Sequence, residues 1–140
     1  MKKIYKNKEL CIRTDCKMAE CCARAMGYRE RTDEDRELLI VNPDLTTGEQ
    51  DCTYLATIKV ARYAKGFQKI LKEIPIGAFE RIYAELYMHF SKNPYYKRRN
   101  GTYLCSPDEQ EYIRGVFAKY GITGVEIFDG YQEQEVWEYH

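Results

Sequence analysis

Ile76, Phe79, Ile82, Tyr83, Leu86 and Phe90 recur at spacings of three and four, and that recurrence admits one local fold. On an α-helix of 3.6 residues per turn they form a single apolar stripe, which a chain in water must bury against another layer. Pro75 suits the first turn of such a helix and Asn93-Pro94 stops it, so the pattern predicts a helix over 76–90. His89 falls in its last turn, four residues after Glu85, which predicts a surface Glu85–His89 pair.

A second helix, over 107–120, is announced by SPDEQ. Ser106 is the cap, Pro107 the first helical residue and Glu109 the carboxylate that can reach back, with Ile113, Val116, Phe117 and Tyr120 facing a core. The other segments are shorter. Thr14 or Asp15 can start a helix that runs to Met26 and ends at Gly27. LLIV (38–41) reads as a buried strand, Tyr54 to Tyr63 as an alternating strand and 66–73 as a helix ended by Pro75. YYKRRNGTYL (95–104) reads as a hairpin turning at Asn100-Gly101, and the tail around 125–137 as a closing hairpin. Strands and helices mixed without regular βαβ alternation predict an α+β fold. A chain of 140 residues is expected to form one compact domain, with a Cys-rich, loop-rich part over 1–53 and a strand-and-helix body over 54–140.

Composition excludes several classes. With 44% hydrophobic and 31% charged residues the chain is neither disordered nor a membrane protein. Its longest aliphatic run, Leu38 to Val41, is far short of the ~18 residues of a span. MKKIYKNKEL lacks the apolar stretch of a signal peptide, so a cytoplasmic location is expected. Net charge is zero but uneven: Leu55–Asn100 holds ten basic residues against three acidic, and Gly101–His140 two against eight. The basic part allows a face for a polyanion.

The N-terminal part has a different signature. CIRTDCKMAECC (11–22) places four of the six cysteines within twelve residues. In a reducing cytosol, crowded thiols point to metal binding or thiol chemistry rather than to a disulfide framework. Cys11, Cys16 and Cys21 are each separated by four residues, the permissive edge of zinc-ligand spacing. Five residues along a helix turn a side chain by ~500°, so three such thiols converge only if Cys11 and Cys16 precede the helix. Cys52, after the loop from Asn42, can supply the fourth ligand; Cys22 then points elsewhere and Cys105 belongs to the core. The expected site is a structural zinc ion on Cys11, Cys16, Cys21 and Cys52. The competing readings are inert buried thiols and a redox pair.

The succession of Cys16, Cys21, Asn42-Pro43, Cys52, VARYAKGF (60–67) and RRNGTYLCSPDEQ (98–110) resembles a family of small uncharacterised bacterial proteins found largely in gut anaerobes. The resemblance spans about Cys16 to Gly121. It implies a cytoplasmic single-domain protein and brings no activity. An anaerobic setting keeps thiols reduced and leaves an iron–sulfur cluster open, although four-residue spacings differ from the C-x₂-C runs of ferredoxins.

A second binding reading rests on YYKRRNG. Lys97, Arg98 and Arg99 could engage phosphates while Tyr95 or Tyr96 stacks on exposed bases, making a nucleic-acid-binding module without metal. Catalytic signatures are absent: there is no GxSxG, no HExxH and no phosphate-cradling glycine loop. The thirteen tyrosines suit core edges and an interface with a protein partner or a second copy. The sequence therefore predicts a non-catalytic binding or regulatory module, with zinc-binding, nucleic-acid-binding and thiol-redox readings in that order.

Overall fold

A computed structural model describes all 140 residues. Its element order is β1 (Glu9–Leu10), α1 (Ala23–Arg29), β2 (Leu39–Ile40), β3 (Ala56–Lys65), α2 (Gln68–Glu73), α3 (Ile76–Phe90), α4 (Lys92–Asn100), α5 (Pro107–Lys119) and β4 (Gly130–Tyr139). Single 3-10 turns occupy Lys3–Tyr5 and Pro43–Leu45. β1 pairs with β2 and β3 with β4, so helices and short strands make the expected α+β fold. No helix is long and apolar enough to cross a membrane. The residues fall into two compact units: Met1–Val60 with Glu135–His140, and Ala61–Gln134.

The second unit carries the larger core. Phe67 is fully buried and meets the edges or faces of Tyr95, Phe117 and Phe128 at centroid separations of 6.0, 6.5 and 6.4 Å. Ile82 and Leu86 of α3 and Ile113, Val116 and Phe117 of α5 complete this core, as their stripes predict. Ser106 closes the expected capping box: its hydroxyl accepts from the Glu109 amide at 3.3 Å, and Glu109 accepts from the Ser106 amide at 3.2 Å. Gly66 is required twice over: its φ is +77°, and a Cβ there would lie 2.8 Å from Asp129 Oδ2. That carboxylate accepts from the Gln68 and Lys69 amides, both at 3.0 Å, and so caps α2.

The hairpin expected at 95–104 is a helix instead. Asn100-Gly101 does need a positive φ, but Gly101 (φ +88°) uses it as the left-handed cap that ends α4. The same backbone requirement serves a two-residue hairpin turn and a helix C-terminus, and sequence alone does not separate them. The Glu85–His89 pair is also replaced: His89 stacks on Tyr112 at 3.9 Å, and Glu85 pairs with Lys119 and accepts from the Tyr120 hydroxyl at 2.6 Å. The tail forms one strand, β4, rather than a hairpin of its own.

The first unit is leaner. Its buried cluster is Tyr5, Leu10, Ala23, Ala56 and Trp137, two of them only alanines. β1 and β2 are parallel and two residues long, with Glu9 opposite Leu39 and Leu10 opposite Ile40. Leu39 and Ile40 are both exposed, so the strand expected to be buried lies at an edge. The N-terminal helix also starts later than its capping signal predicts. Residues 17–21 run in turns, Cys22 is the N-cap, and the helix passes through Gly27 to Arg29.

Gly27 is there because α1 lies tight against the N-terminal segment. A Cβ would meet Leu10 Cδ2 at 2.6 Å and the Tyr5 ring at 3.0 Å, and both neighbours are buried. Forcing a branched side chain into such a contact costs ~1–3 kcal/mol. Gly27→Val is therefore expected to lower the stability of the first unit by ~2–3 kcal/mol, read as a reduced denaturant midpoint at unchanged slope.

Candidate thiol site

Four of the six cysteines line one cavity of about 20 Å³: Cys11, Cys16, Cys22 and Cys52. All lie in the first unit. Each arrives on a different piece of backbone. Cys11 follows β1, Cys16 lies before a turn, Cys22 caps α1 and Cys52 lies in the turns before β3. All six cysteines are free thiols.

Backbone and arginine contacts hold these pieces together. The Cys11 amide donates to the Arg24 carbonyl at 3.2 Å, and the Lys17 amide to the Gly48 carbonyl at 2.9 Å. Arg24, only 8% exposed, donates through Nε to the Tyr54 carbonyl (2.7 Å) and through Nη1 to the Glu9 carbonyl (2.8 Å). One guanidinium thus joins the segments leading to Cys11 and away from Cys52. Arg13 does similar work through Nη1, which donates to the Thr46 carbonyl at 2.8 Å and its hydroxyl at 3.2 Å, while Asp15 takes the other side. Both arginines line the cavity.

The Met18 amide donates to Cys16 Sγ at 3.3 Å. At Cys11 and Cys52 the backbone amides of Arg13 and Tyr54, two residues on in each case, favour the charged form of the thiol. The sulfurs differ in net balance. Burial pushes the Cys11 thiol up; the Arg13 amide opposes this and the neighbouring Cys22, Cys16 and Cys52 add to it. Burial also pushes Cys52 up, but the Thr47, Tyr54 and Gly48 amides with the Thr47 hydroxyl outweigh it and leave Cys52 below the ordinary thiol value.

Cys22, and not the expected Cys21, lines the cavity. Cys22 is buried and faces the cavity, whereas Cys21 is exposed and its thiol donates to the Met18 carbonyl at 3.5 Å. The reason is the late start of α1. With turns over residues 17–21, the side chain facing inward is the helix cap rather than its predecessor. Cys105 is the expected core residue: it is fully buried in the second unit, and burial pushes its thiol up to about 11. No group of three or more His, Cys, Asp or Glu side chains is drawn together closely enough to hold a metal ion; the four cysteines line the cavity instead.

The residues of the nucleic-acid reading are mostly engaged by their own unit. Tyr95 is fully buried in the aromatic core and offers no face to a base. The Tyr96 hydroxyl lies 2.7 Å from that of Tyr83, with the ring partly exposed. Lys97 donates to the Tyr103 hydroxyl at 3.2 Å, Arg98 pairs with Glu109, and Arg99 lies over Phe79 and Tyr96 at 5.7 and 6.0 Å. On α4, Tyr95 faces the core, Tyr96 and Lys97 are exposed, and Arg98 and Arg99 are half-buried.

Sequence reasoning missed the two arginines and the amides two residues past each thiol. The pattern is visible afterwards: Arg13, Met18, Arg24 and Tyr54 each stand two residues beyond Cys11, Cys16, Cys22 and Cys52, and all four line the cavity.

The chain belongs to a family of unknown function (DUF6078), which matches it over residues 1–137. No curated protein and no solved structure matches it.

Proposed function

We propose that this protein is a non-catalytic, cytoplasmic binding or regulatory module whose first unit is stapled by a structural zinc ion on Cys11, Cys16, Cys22 and Cys52. The observation that carries the reading is the set of four cysteines on one cavity, with the Met18 amide donating to Cys16 Sγ at 3.3 Å. An all-sulfur donor set is soft, and among common cytosolic ions it favours zinc. Four thiolates around a divalent ion carry a net charge of −2, which the guanidiniums of Arg13 and Arg24 are placed to offset. Hydrogen bonds to ligating sulfur and charges just outside it belong to such sites as much as the ligands do.

Binding requires the sulfurs to draw in to ~2.3 Å from the ion. Cys11, Cys16 and Cys52 lie outside helix and strand, and Cys22 is the cap of α1. The lean core gives the ion its role. Two alanines among five buried residues supply little burial, and small units of this kind commonly rely on a metal or a disulfide.

The test is metal per chain in protein purified under reducing, chelator-free conditions. One zinc per chain in the wild type and in Cys21→Ser, and none in Cys22→Ser or Cys52→Ser, is the expected result. Metal-free wild-type protein that is fully folded overturns the reading, and iron with visible absorption transfers the site to an iron–sulfur cluster.

A further inference from the structure

We propose that the outer edge of β4 over Glu135–Tyr139 takes up an extended segment of a partner protein that carries two cations three residues apart. The proposal stands apart from the thiol site and does not depend on the zinc reading. β4 has β3 as its one neighbour in a two-stranded sheet, so its other edge carries no strand. The His140 amide donates to the Leu55 carbonyl at 3.3 Å, which fixes the phase of the ladder. Even-numbered residues at this end face β3, and Glu135, Trp137 and Tyr139 turn their N–H and C=O groups outward. Nothing else in the first unit bonds those groups. A row of unpaired donors and acceptors of this kind is completed by one more strand.

The side chains select the strand that fits. β4 reads GYQEQEVWEY, with three glutamates and no cation. Glu135 and Glu138 are exposed, and neither forms an ion pair within the first unit. The cations beside this end are engaged elsewhere. Lys8 donates to the Tyr139 hydroxyl at 3.3 Å and lies 5.4 Å from the Trp137 ring centroid, and Arg24 serves the Glu9 and Tyr54 carbonyls. Residues directly opposite on paired strands share a face, so a lysine or arginine opposite each glutamate meets both carboxylates. Val136, half-buried, and the Tyr139 ring, 59% exposed, add apolar surface for β-branched neighbours. A second copy pairing through the same edge would bring two more carboxylates and no cation, so a basic segment is the complementary occupant.

The experiment titrates the full-length protein with a capped eight-residue peptide of valine and threonine bearing lysine at its third and sixth positions. Trp137, the sole tryptophan, reports binding by its fluorescence, and hydrogen exchange by NMR reads the amides of Glu135, Trp137 and Tyr139. Saturable binding that slows exchange at those amides is expected, with none for the same peptide bearing glutamate. Glu135→Gln with Glu138→Gln is expected to weaken binding about tenfold at low salt. Glu135→Pro removes one outward N–H, which an edge strand tolerates, and is expected to abolish binding at an unchanged thermal melt. The lysine peptide with alternate amides N-methylated keeps its charge, cannot pair and is expected not to bind; if Glu135→Pro lowers the melt, this peptide decides. No binding of the lysine peptide, equal binding of the glutamate peptide, or binding that survives N-methylation overturns the proposal. So does a dimer of the protein alone that Glu135→Pro dissociates, because a second copy then holds the edge.

Discussion

Cys22→Ser is expected to unfold the first unit while Cys21→Ser leaves it intact, although the two residues are adjacent and chemically identical. Cys22 is buried on the thiol-lined cavity and caps α1, whereas Cys21 is exposed with its thiol on the Met18 carbonyl. A structural zinc site contributes an apparent ~10–16 kcal/mol, as much as the whole stability of an ordinary domain. A serine hydroxyl is a poor zinc ligand at neutral pH, so the first substitution forfeits most of that energy and the second almost none. Circular dichroism with thermal melting reads the difference. Chelator added to the wild type is expected to reproduce the Cys22→Ser melt and to have no further effect on that variant. Equal melts for the two variants contradict the placement of the site.

In the second unit the largest expected loss is from Phe67→Ala. Phe67 is fully exposed to neighbours and not at all to water, with three aromatic partners at 6.0–6.5 Å. Truncating a buried phenylalanine in a close-packed core costs ~3–5 kcal/mol, and edge-to-face partners add to its area burial. The midpoint of the second unit in denaturant is expected to fall accordingly, with zinc content unchanged. Loss of zinc in Phe67→Ala would show that the thiol site depends on this core, contrary to the account.

The two main helices were legible because their signals are local. The stripe from Ile76 to Phe90 and the box at Ser106 and Glu109 involve residues three and four apart, and α3 and α5 appear where these place them. The sequence misleads at Asn100-Gly101, where one positive φ has two uses, and at Gly27, whose missing side chain serves packing rather than helix termination. Both places are met by residues far away in sequence: the Phe67 amide donates to the Arg99 carbonyl at 3.1 Å, and Leu10 and Tyr5 pack against Gly27. Part of the cavity lining was legible as well. Clustering of Cys11 and Cys16, and the return of the chain at Cys52, follow from spacing and loop composition. Whether Cys21 or Cys22 faces inward depends on the residue at which α1 begins, and one residue of helix phase turns a side chain by ~100°.

X-ray absorption at the zinc edge, on the full-length protein as purified under reducing conditions, addresses the central claim most directly. The account predicts four sulfur neighbours at ~2.3 Å and no nitrogen or oxygen in the shell, falling to fewer sulfurs or to no zinc in Cys22→Ser. A shell of nitrogen and oxygen, or four sulfurs retained without Cys22, would contradict it.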